Sequence, residues 1–409
     1  MNRPILIGPF KQLLPMSGLP LKGALSDGQL PIINDAGVLL LDGKILEVNT
    51  YKKLKSDEVD LERIEGEQVC LPGFIDSHTH ICFGGSRARD YALRNSGKTY
   101  LEIAKAGGGI WDTVTQTRKA SKEMLVKGIL TRCEKHLANG ITTLEVKSGY
   151  GLSLEEELKM LRAIKEADEQ ATQDLVSTCL AAHMVPKDWD GSPTEYLEEI
   201  GEKLFPILKS EKLTNRVDAF IEESAFSPKN IKPYFEKAKQ HGFDITVHAD
   251  QFTTGGSQVA VDFNAISADH LETSTKKEVA LLAKSDTIAT ALPGASLGLG
   301  CDFTPARKLL DAGAALAIAS DHNPGSGPMG DLLAQAAILG TFEKLSNAEV
   351  LAGITFRAAA ALNLQDRGVL KKGMRADFVA FATDNYQEIT YHQGQLKPSG
   401  VWKNGIKTY

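Results

Sequence analysis

Two histidines stand in a spacing that suits a metal site. His78 and His80 are separated by one residue and follow the apolar run Gly73-Phe74-Ile75. Side chains alternate between the two faces of a strand, so both imidazoles are expected to point the same way. Converging imidazoles favour a divalent ion such as zinc or iron, because both metals accept nitrogen ligands. A metal held there activates water and polarises a carbonyl group, which predicts hydrolytic chemistry.

Two more residues extend this pair to a set of four. His248 and Asp321 each follow another apolar run of strand-like composition. Three imidazoles and one carboxylate would hold one metal ion and leave a position for water. The competing interpretation is a buried, hydrogen-bonded cluster that binds no metal.

The middle of the chain, residues 72–367, is predicted to position these side chains. Strand-like and helix-like runs alternate there, which is typical of a parallel α/β architecture. The predicted strands are 73–77, 142–146, 177–182, 217–221, 244–247, 265–268, 287–290 and 315–319. Eight strands at this spacing fit a TIM-like (β/α)8 barrel better than a doubly wound sheet. Active sites in such barrels gather at the carboxyl ends of the strands, where the candidate residues follow.

Both ends of the chain are predicted to form a second, smaller domain. Near the amino end Asp42-Gly43 separates two apolar runs, and near the carboxyl end Asn404-Gly405 does the same. These dipeptides are strong hairpin signals, because both turn positions tolerate positive φ. Neither end has enough strands for a stable sheet alone. The sequence therefore predicts a composite β-sandwich domain of residues 1–71 and 368–409 beside the barrel.

Composition limits the class of partner. The 409 residues carry a net charge of −6, which argues against a nucleic-acid surface, and an anionic small-molecule substrate would have to find local positive charge. No run of about 18 apolar residues is present, so we expect no membrane-spanning helix. We expect no signal peptide either. Five cysteines are scattered without a CxxC pair, which indicates reduced thiols in a cytoplasmic protein.

The stretch Leu71-Pro72-Gly73-Phe74-Ile75-Asp76, followed by the His-x-His pair, resembles the signature of the amidohydrolase superfamily. The resemblance covers nearly the whole chain. It implies one metal, because binuclear members usually carry a carbamylated lysine at the end of the fourth strand. Here that strand ends in Glu222-Glu223, and Lys147 lies two strands earlier. In the mononuclear arrangement His270 is not a ligand but hydrogen-bonds the activated water or the substrate.

Within that superfamily, seven sequence blocks resemble the imidazolonepropionase family. They are residues 80–87, 100–110, 145–151, 183–186, 248–251, 267–272 and 321–326. The resemblance implies hydrolysis of the cyclic amide of 4-imidazolone-5-propanoate to N-formimidoyl-L-glutamate, a reaction of histidine degradation. It also implies a homodimer.

The functional residues of that family carry over by position. The ligands of one zinc or iron ion are matched by His78, His80, His248 and Asp321. Substrate contacts are matched by Arg87, Tyr150, His183 and Gln251, and the loop that holds substrate or product by Asn323, Gly325 and Ser326. Arg87 offers a planar donor fork for the propionate carboxylate or for the ring carbonyl.

Gln251 bears on the choice of reaction and is counted with the catalytic residues. Related mononuclear deaminases have glutamate at this position, where it moves protons. Glutamine cannot gain or lose a proton, so acid–base work is assigned to His270, to Asp321 or to both. This counts against the alternative function, an aminohydrolase of a purine or pyrimidine. A non-catalytic relative that binds a ring ligand or a protein partner is a third hypothesis.

Other conspicuous residues are given structural roles. His136 and His241 stand in polar helical segments and are predicted to be solvated surface residues. Strand alternation should turn His322 away from the metal. The run Gly107-Gly108-Gly109 is interpreted either as an anion-binding nest or as the entry turn of a helix. Asp250 is expected to fix its loop through hydrogen bonds to the backbone.

Overall fold

The structure is a computed structural model that describes residues 3–409. Within that range the side chains of Tyr100, Leu101 and Ala104 are not described. Residues 1 and 2 of the predicted terminal domain therefore lie outside the described residues, as do these three side chains of the block 100–110.

Sixteen strands occur in the described residues, and they divide into two sheets. The first sheet contains β1 (Ile5–Leu13), β2 (Ile33–Leu41), β3 (Lys44–Thr50), β4 (Asp60–Arg63), β5 (Val69–Pro72), β14 (Phe378–Phe381), β15 (Pro398–Lys403) and β16 (Ile406–Lys407). The second sheet contains β6 (Phe74–Asp76), β7 (Ile141–Lys147), β8 (Asp174–Ala182), β9 (Arg216–Phe220), β10 (Asp244–Ala249), β11 (Ser267–His270), β12 (Ile288–Ala291) and β13 (Leu316–Ile318).

Helices connect and flank these strands. They are α1 (Tyr51–Leu54), α2 (Ala88–Asn95), α3 (Tyr100–Lys105), α4 (Ile110–Lys119), α5 (Lys122–Ala138), α6 (Leu154–Asp168), α7 (Pro193–Ser210), α8 (Pro228–Gln240), α9 (Gly256–Asp262), α10 (Lys276–Lys284), α11 (Pro293–Leu299), α12 (Ala306–Asp311), α13 (Leu332–Glu343), α14 (Asn347–Gly353), α15 (Phe356–Ala361) and α16 (Gln387–Tyr391). A 3-10 turn covers Asp27–Gln29. Across residues 3–409, no helix combines the length and the apolar character needed to cross a membrane.

The second sheet is the predicted barrel. Its eight strands run parallel and in chain order from β6 to β13. The chain just beyond β6 meets the chain just beyond β13, where the N–H of His80 donates to the carbonyl of His322 at 2.9 Å. The N–H of Asp321 likewise donates to the carbonyl of His78 at 3.1 Å. Closure of the barrel therefore places the predicted ligands of the first and last strands side by side.

All eight predicted barrel strands are present, and one is displaced along the chain. The sixth strand spans Ser267–His270, two residues later than the predicted 265–268. Ala265 is not available to the sheet, because its N–H donates to the carbonyl of Ala260 (2.8 Å) and completes the end of α9. The shift ends the strand at His270 itself.

The first sheet joins the two ends of the chain, as predicted. Strand β14 pairs antiparallel with β5, and β5 pairs parallel with β1. Both predicted hairpin turns are present, and the residues of Asp42-Gly43 and Asn404-Gly405 all have positive φ. The eight strands form one continuous sheet that encloses its own apolar core, in which the rings of Phe378 and Trp402 stack at 4.8 Å.

A glycine marks the point where the chain passes from the first sheet to the second. Strand β5 ends at Pro72 and β6 begins at Phe74, so the chain crosses from the terminal sheet to the barrel at Gly73. Its N–H donates to the carbonyl of Asp377 at 2.9 Å, and Thr142 leaves no room for a β-carbon there. The domain boundaries after residues 71 and 367 remain a prediction.

Candidate active site

Three imidazoles converge inside the carboxyl end of the barrel. The Nε2 atom of His80 lies 3.2 Å from Nε2 of His78 and 3.2 Å from Nε2 of His248. Tetrahedral zinc with Zn–N bonds of about 2.0–2.1 Å separates its nitrogen ligands by about 3.3 Å. The observed spacing therefore fits a single metal ion. Among the described residues, these three histidines form the one cluster with metal-ligand spacing.

Asp321 completes the arrangement on the side of the last strand. Its Oδ1 atom lies 3.4 Å from Nε2 of His80 and 3.7 Å from Nε2 of His78. The residue follows β13 with φ at +48°, a left-handed conformation that turns the chain into the next loop. Burial raises the pKa of the Asp321 carboxyl to about 6.

Carboxylates behind the histidines orient two of the rings. The Nδ1 atom of His78 lies 2.7 Å from Oδ2 of Asp269, and Nδ1 of His248 lies 2.9 Å from Oδ2 of Asp218. The Asp269 carboxylate holds the proton on Nδ1 of His78, which leaves the Nε2 lone pair directed at the centre, and the Asp218 carboxylate lies within ion-pair distance of Nδ1 of His248. Burial lowers the pKa of His78 well below its ordinary value and that of His248 to about 3. Both rings are thus neutral, the form that binds a metal.

Lys147 lies beneath this layer and is fully buried. Its Nζ atom is 2.8 Å from Oδ2 of Asp218 and 2.7 Å from Oε2 of Glu145. Burial opposes the positive charge, but the surrounding carboxylates outweigh it and raise the pKa of the lysine. The amine is therefore engaged in ion pairs as an ammonium group.

His270 stands beside the three converging imidazoles. Its ring lies 5.3 Å from that of His248 and 5.8 Å from that of His78, centroid to centroid. Its Nδ1 atom lies 3.3 Å from Oε1 of Glu272, so its Nε2 atom is the nitrogen left for a ligand. Burial disfavours the charged ring, but Glu272 more than compensates and the pKa of His270 is raised. A φ of +84° places this histidine in a conformation that residues with a β-carbon rarely adopt.

Two further side chains predicted to contact substrate lie beside His80. The ring of His183 stacks on that of His80 at 5.6 Å, and the ring of Tyr150 lies 5.9 Å from it. The Nδ1–H of His183 donates to the carbonyl of Gly149 at 2.9 Å. Burial lowers the pKa of His183 to about 4, so the ring is neutral and its Nε2 atom accepts hydrogen bonds.

Gln251 follows β10 and is 9% exposed. No hydrogen bond to its side-chain amide occurs among the described residues. The loop that carries it is held by Glu222, whose Oε1 accepts from the N–H groups of Phe252 (2.9 Å) and Thr253 (3.2 Å). Asp250 fixes the same loop, with Oδ1 accepting from the N–H of Gly255 at 2.9 Å. The amide of Gln251 is therefore free to meet a ligand.

The loop after Asp321 is organised by the side chain of Asn323. Its Oδ1 accepts from the N–H groups of Gly325 (2.7 Å) and Ser326 (2.8 Å). Its Nδ2 donates to the carbonyl of Asp321 (2.7 Å) and to Oγ of Ser326 (2.9 Å). All of these bonds are internal to the loop, so Asn323 shapes the surface that Gly325 and Ser326 present. Arg87 lies against Gly325 so closely that a β-carbon would overlap its guanidinium group.

Several residues of this site escaped the sequence prediction. Asp218, Asp269 and Glu272 hold the histidines, and no role was predicted for them. Asp218 did carry a signal, since an acidic residue inside the apolar run Val217-Asp218-Ala219 must find a partner when that strand is buried. No sequence pattern indicated a role for Glu272, because its contact with His270 depends on the left-handed turn at the end of β11.

Of the two predicted surface histidines, one is buried and the other is half-buried. His136 is buried, and its Nε2 lies 2.8 Å from Nδ1 of His322, because it occupies the face of α5 that packs on the barrel. His241 is half-buried against Phe205 and Phe243, with ring centroids 6.0 and 6.4 Å away. The prediction for His136 was therefore wrong, whereas His241 keeps part of its surface exposed to solvent. His322 is turned toward His136, away from the converging imidazoles, as strand alternation predicts.

Relatives of known sequence match most of the chain. The family model of the amidohydrolase family matches residues 69–407. An imidazolonepropionase of Bacillus cytotoxicus is 40% identical over 384 residues, covering 93% of this chain and 90% of that protein. An imidazolonepropionase of Bacillus cereus is 39% identical over 383 residues with the same coverage of both chains.

Solved structures share the fold at lower identity. A triazine hydrolase variant superposes with a TM-score of 0.76 at 17% identity, covering 99% of this chain and 94% of that one. An adenosine deaminase from Xanthomonas campestris with bound zinc gives a TM-score of 0.72 at 18% identity, covering 98% and 92%. At such identities the likeness shows the arrangement of barrel and terminal sheet alone.

Proposed function

This chain belongs to the amidohydrolase family and, within it, to the imidazolonepropionases, and we propose in detail how its site carries out that hydrolysis. It is a hydrolase of C–N bonds in cyclic amides, and the substrate is 4-imidazolone-5-propanoate. The observation that carries the mechanism is the convergence of His78, His80, His248 and Asp321 at the carboxyl end of the barrel.

The proposed cofactor is one divalent ion, zinc or iron, held by those four side chains. Three observations support it: the spacing of the Nε2 atoms, the neutral state of the rings, and the carboxylates beside the Nδ1 atoms of His78 and His248. When bound, the ion lowers the pKa of water and polarises the ring carbonyl. The engagement of Lys147 in ion pairs favours one ion, because a carbamylated lysine is not available to bridge two.

The proposed reaction opens the ring by addition of one water molecule. The water oxygen bonds to the carbonyl carbon of the imidazolone, and the bond from that carbon to the ring nitrogen breaks. One water proton ends on the departing nitrogen, and the new carboxyl group ionises. The product, N-formimidoyl-L-glutamate, retains both nitrogens of the ring.

His270 and Asp321 are the proposed groups that move the proton. Both are buried beside the three converging imidazoles, and each offers an acceptor atom that can take a proton from water and return it to the leaving nitrogen. Glu272 holds Nδ1 of His270 and directs Nε2 toward the cavity. Gln251 is assigned a hydrogen bond to the substrate, because its amide cannot exchange a proton.

The substrate contacts proposed for the remaining residues follow their chemistry. Arg87 binds the propionate carboxylate through its guanidinium nitrogens. His183 accepts from a ring N–H through Nε2, and the Tyr150 hydroxyl hydrogen-bonds the ring. Burial raises the pKa of Tyr150, which keeps the hydroxyl protonated and able to donate. Gly325 and Ser326, in the loop that Asn323 shapes, contact the same substrate.

A deaminase of a purine or pyrimidine is the alternative, and the fold neighbours include such an enzyme. That reaction must protonate a leaving amine, for which Gln251 is unsuited. We further propose that the chain acts in histidine degradation in the cytoplasm and forms a homodimer. Light scattering of the purified chain measures its mass in solution. Twice the mass of one protomer is expected, and the mass of a single protomer would contradict the homodimer.

A reconstitution experiment tests the proposal. The metal-depleted chain is loaded with zinc or with iron and incubated with enzymatically generated imidazolone-propanoate. We expect one equivalent of metal, loss of the ring absorbance, and no release of ammonia. Less than one equivalent would support a non-catalytic relative, and release of ammonia from guanine or cytosine would support a deaminase.

A further inference from the structure

Arg87 is held at one nitrogen by a buried carboxylate. Its Nε atom lies 2.7 Å from Oδ2 of Asp90, and the side chains of Arg87 and Asp90 are 10% and 4% exposed. The other two guanidinium nitrogens have no hydrogen-bond partner among the described residues. The guanidinium group of Arg87 is therefore fixed at Nε, and its two terminal nitrogens can donate to an incoming carboxylate.

Two residues of the glycine run 107–109, Gly108 and Gly109, contact Asp90. The N–H of Gly109 donates to Oδ2 of Asp90 at 2.8 Å, and Gly109 is the residue from which α4 begins. A β-carbon on Gly108 would overlap the Asp90 carboxylate, whereas one on Gly107 would meet no atom nearby. The run is thus a helix-entry turn that binds the carboxylate of its own chain.

One terminal nitrogen of Arg87 faces Gly325 in a neighbouring loop. A β-carbon on Gly325 would overlap a terminal nitrogen of the guanidinium group. Gly325 lies in the loop that follows Asp321, so this contact places the terminal nitrogens of Arg87 next to the proposed metal ligands. The charge of Arg87 also lies close enough to Tyr150 to lower the pKa of that phenol, against the larger effect of burial.

We propose that Asp90 is a positioning residue for substrate recognition and that Gly108 keeps it in place. Asp90 fixes Arg87 through Nε, so that the two terminal nitrogens bind the carboxylate of the substrate side chain without first being ordered. Gly108, Asp90 and Arg87 thereby form one unit, in which the helix-entry turn positions the substrate-binding arginine. This inference rests on the proposed function, in which Arg87 meets the propionate group.

Two substitutions break the unit in different ways. Asp90→Asn keeps the shape but weakens the bond to Nε, because a charge-assisted hydrogen bond becomes a neutral one. Gly108→Ala displaces the carboxylate by steric overlap, and the backbone there needs no positive φ. Glu102→Gln is the matched control, since Glu102 lies in the neighbouring helix α3 and its contacts are with Lys98 and Thr99.

Steady-state kinetics of the metal-loaded chain measure the effect. We expect Asp90→Asn and Gly108→Ala to raise KM for imidazolone-propanoate about tenfold or more, with kcat within about threefold of the parent. The carboxamide analogue of the propanoate side chain should show no such increase. In an Arg87→Ala background, Asp90→Asn should add less than about a twofold change, because its effect passes through the arginine.

The outcomes separate this inference from the function it rests on. A parent chain that does not turn over imidazolone-propanoate overturns both. Normal turnover by the parent with an unchanged KM in Asp90→Asn overturns the positioning role alone. So does an equal KM increase with the carboxamide analogue, or an additive effect in the Arg87→Ala background.

Discussion

The ammonium group of Lys147 lies 2.8 Å from the carboxylate of Asp218, and both side chains are fully buried. The same carboxylate oxygen lies 2.9 Å from Nδ1 of His248. The lysine charge is therefore connected to the proposed metal site through the carboxylate of Asp218 and the imidazole of His248. Such outer contacts orient the ligand ring and strengthen it as a base.

Removal of the lysine charge should weaken metal binding. In Lys147→Met the carboxylates of Asp218 and Glu145 lose their buried cation, which costs about 3–5 kcal/mol of the free energy of unfolding. Metal affinity should fall about 10- to 100-fold, measured by competition with a chelator. Lys203→Met removes an equal charge from an exposed surface pair and serves as control.

If Lys147→Met does not fold, Asp218→Asn tests the same effect of these contacts on metal affinity. The amide preserves the shape but holds Nδ1 of His248 less strongly. Its metal affinity should fall over the same range. Affinity within about twofold of the parent in both variants would show that this chain of contacts does not act on the metal.

His270 should be needed for turnover but not for metal binding. His270→Asn is the suitable variant, because asparagine tolerates the left-handed φ of +84° better than most residues. Loss of a general acid–base group should lower kcat about 100-fold or more, while one equivalent of metal remains by elemental analysis. Loss of the metal in this variant would show that His270 is a ligand.

The buried pair His136 and His322 should make stability depend on pH. Burial lowers the pKa of His136 to about 3 and that of His322 to about 4, whereas an unfolded histidine titrates near about 6.5. Below pH 6.5 the unfolded state binds protons that the folded state does not. The free energy of unfolding of the metal-depleted chain should therefore fall by about 1.4 kcal/mol per pH unit for each imidazole, until the folded pair itself titrates.

Denaturant unfolding at several pH values checks this. His136→Gln removes one titrating ring and should flatten the dependence. Equal slopes for the parent and His136→Gln between about pH 6.5 and pH 4 would contradict the assignment.

Most of the fold could be predicted from local patterns in the sequence. The eight barrel strands alternate with helices, and the two hairpins carry turn dipeptides whose φ values are positive, so both could be predicted. The sixth strand was misplaced because Ala265 and Ile266 are apolar enough for a strand, while Ala265 completes a helix. Apolar character alone does not distinguish these two states.

Contacts between distant segments explain what the sequence missed. His136 stands among polar neighbours, and only the packing of α5 on the barrel shows that its own face is buried. The pairing of Asp269 with His78 joins residues 191 positions apart and depends on strand register. The role of Gly108 likewise requires Asp90 to be placed beside it. Spacing predicts which residues lie at a strand end, but not which carboxylate each one meets.

The central claim is that this chain adds water across the ring amide without loss of nitrogen. Mass spectrometry of the product formed in ¹⁸O-labelled water tests it most directly. We predict a single product with the mass of imidazolone-propanoate plus one labelled water, with both nitrogens retained and the label in the new carboxylate. A product that has exchanged an amine for labelled oxygen, or an unchanged substrate with the metal-loaded chain, would contradict the account.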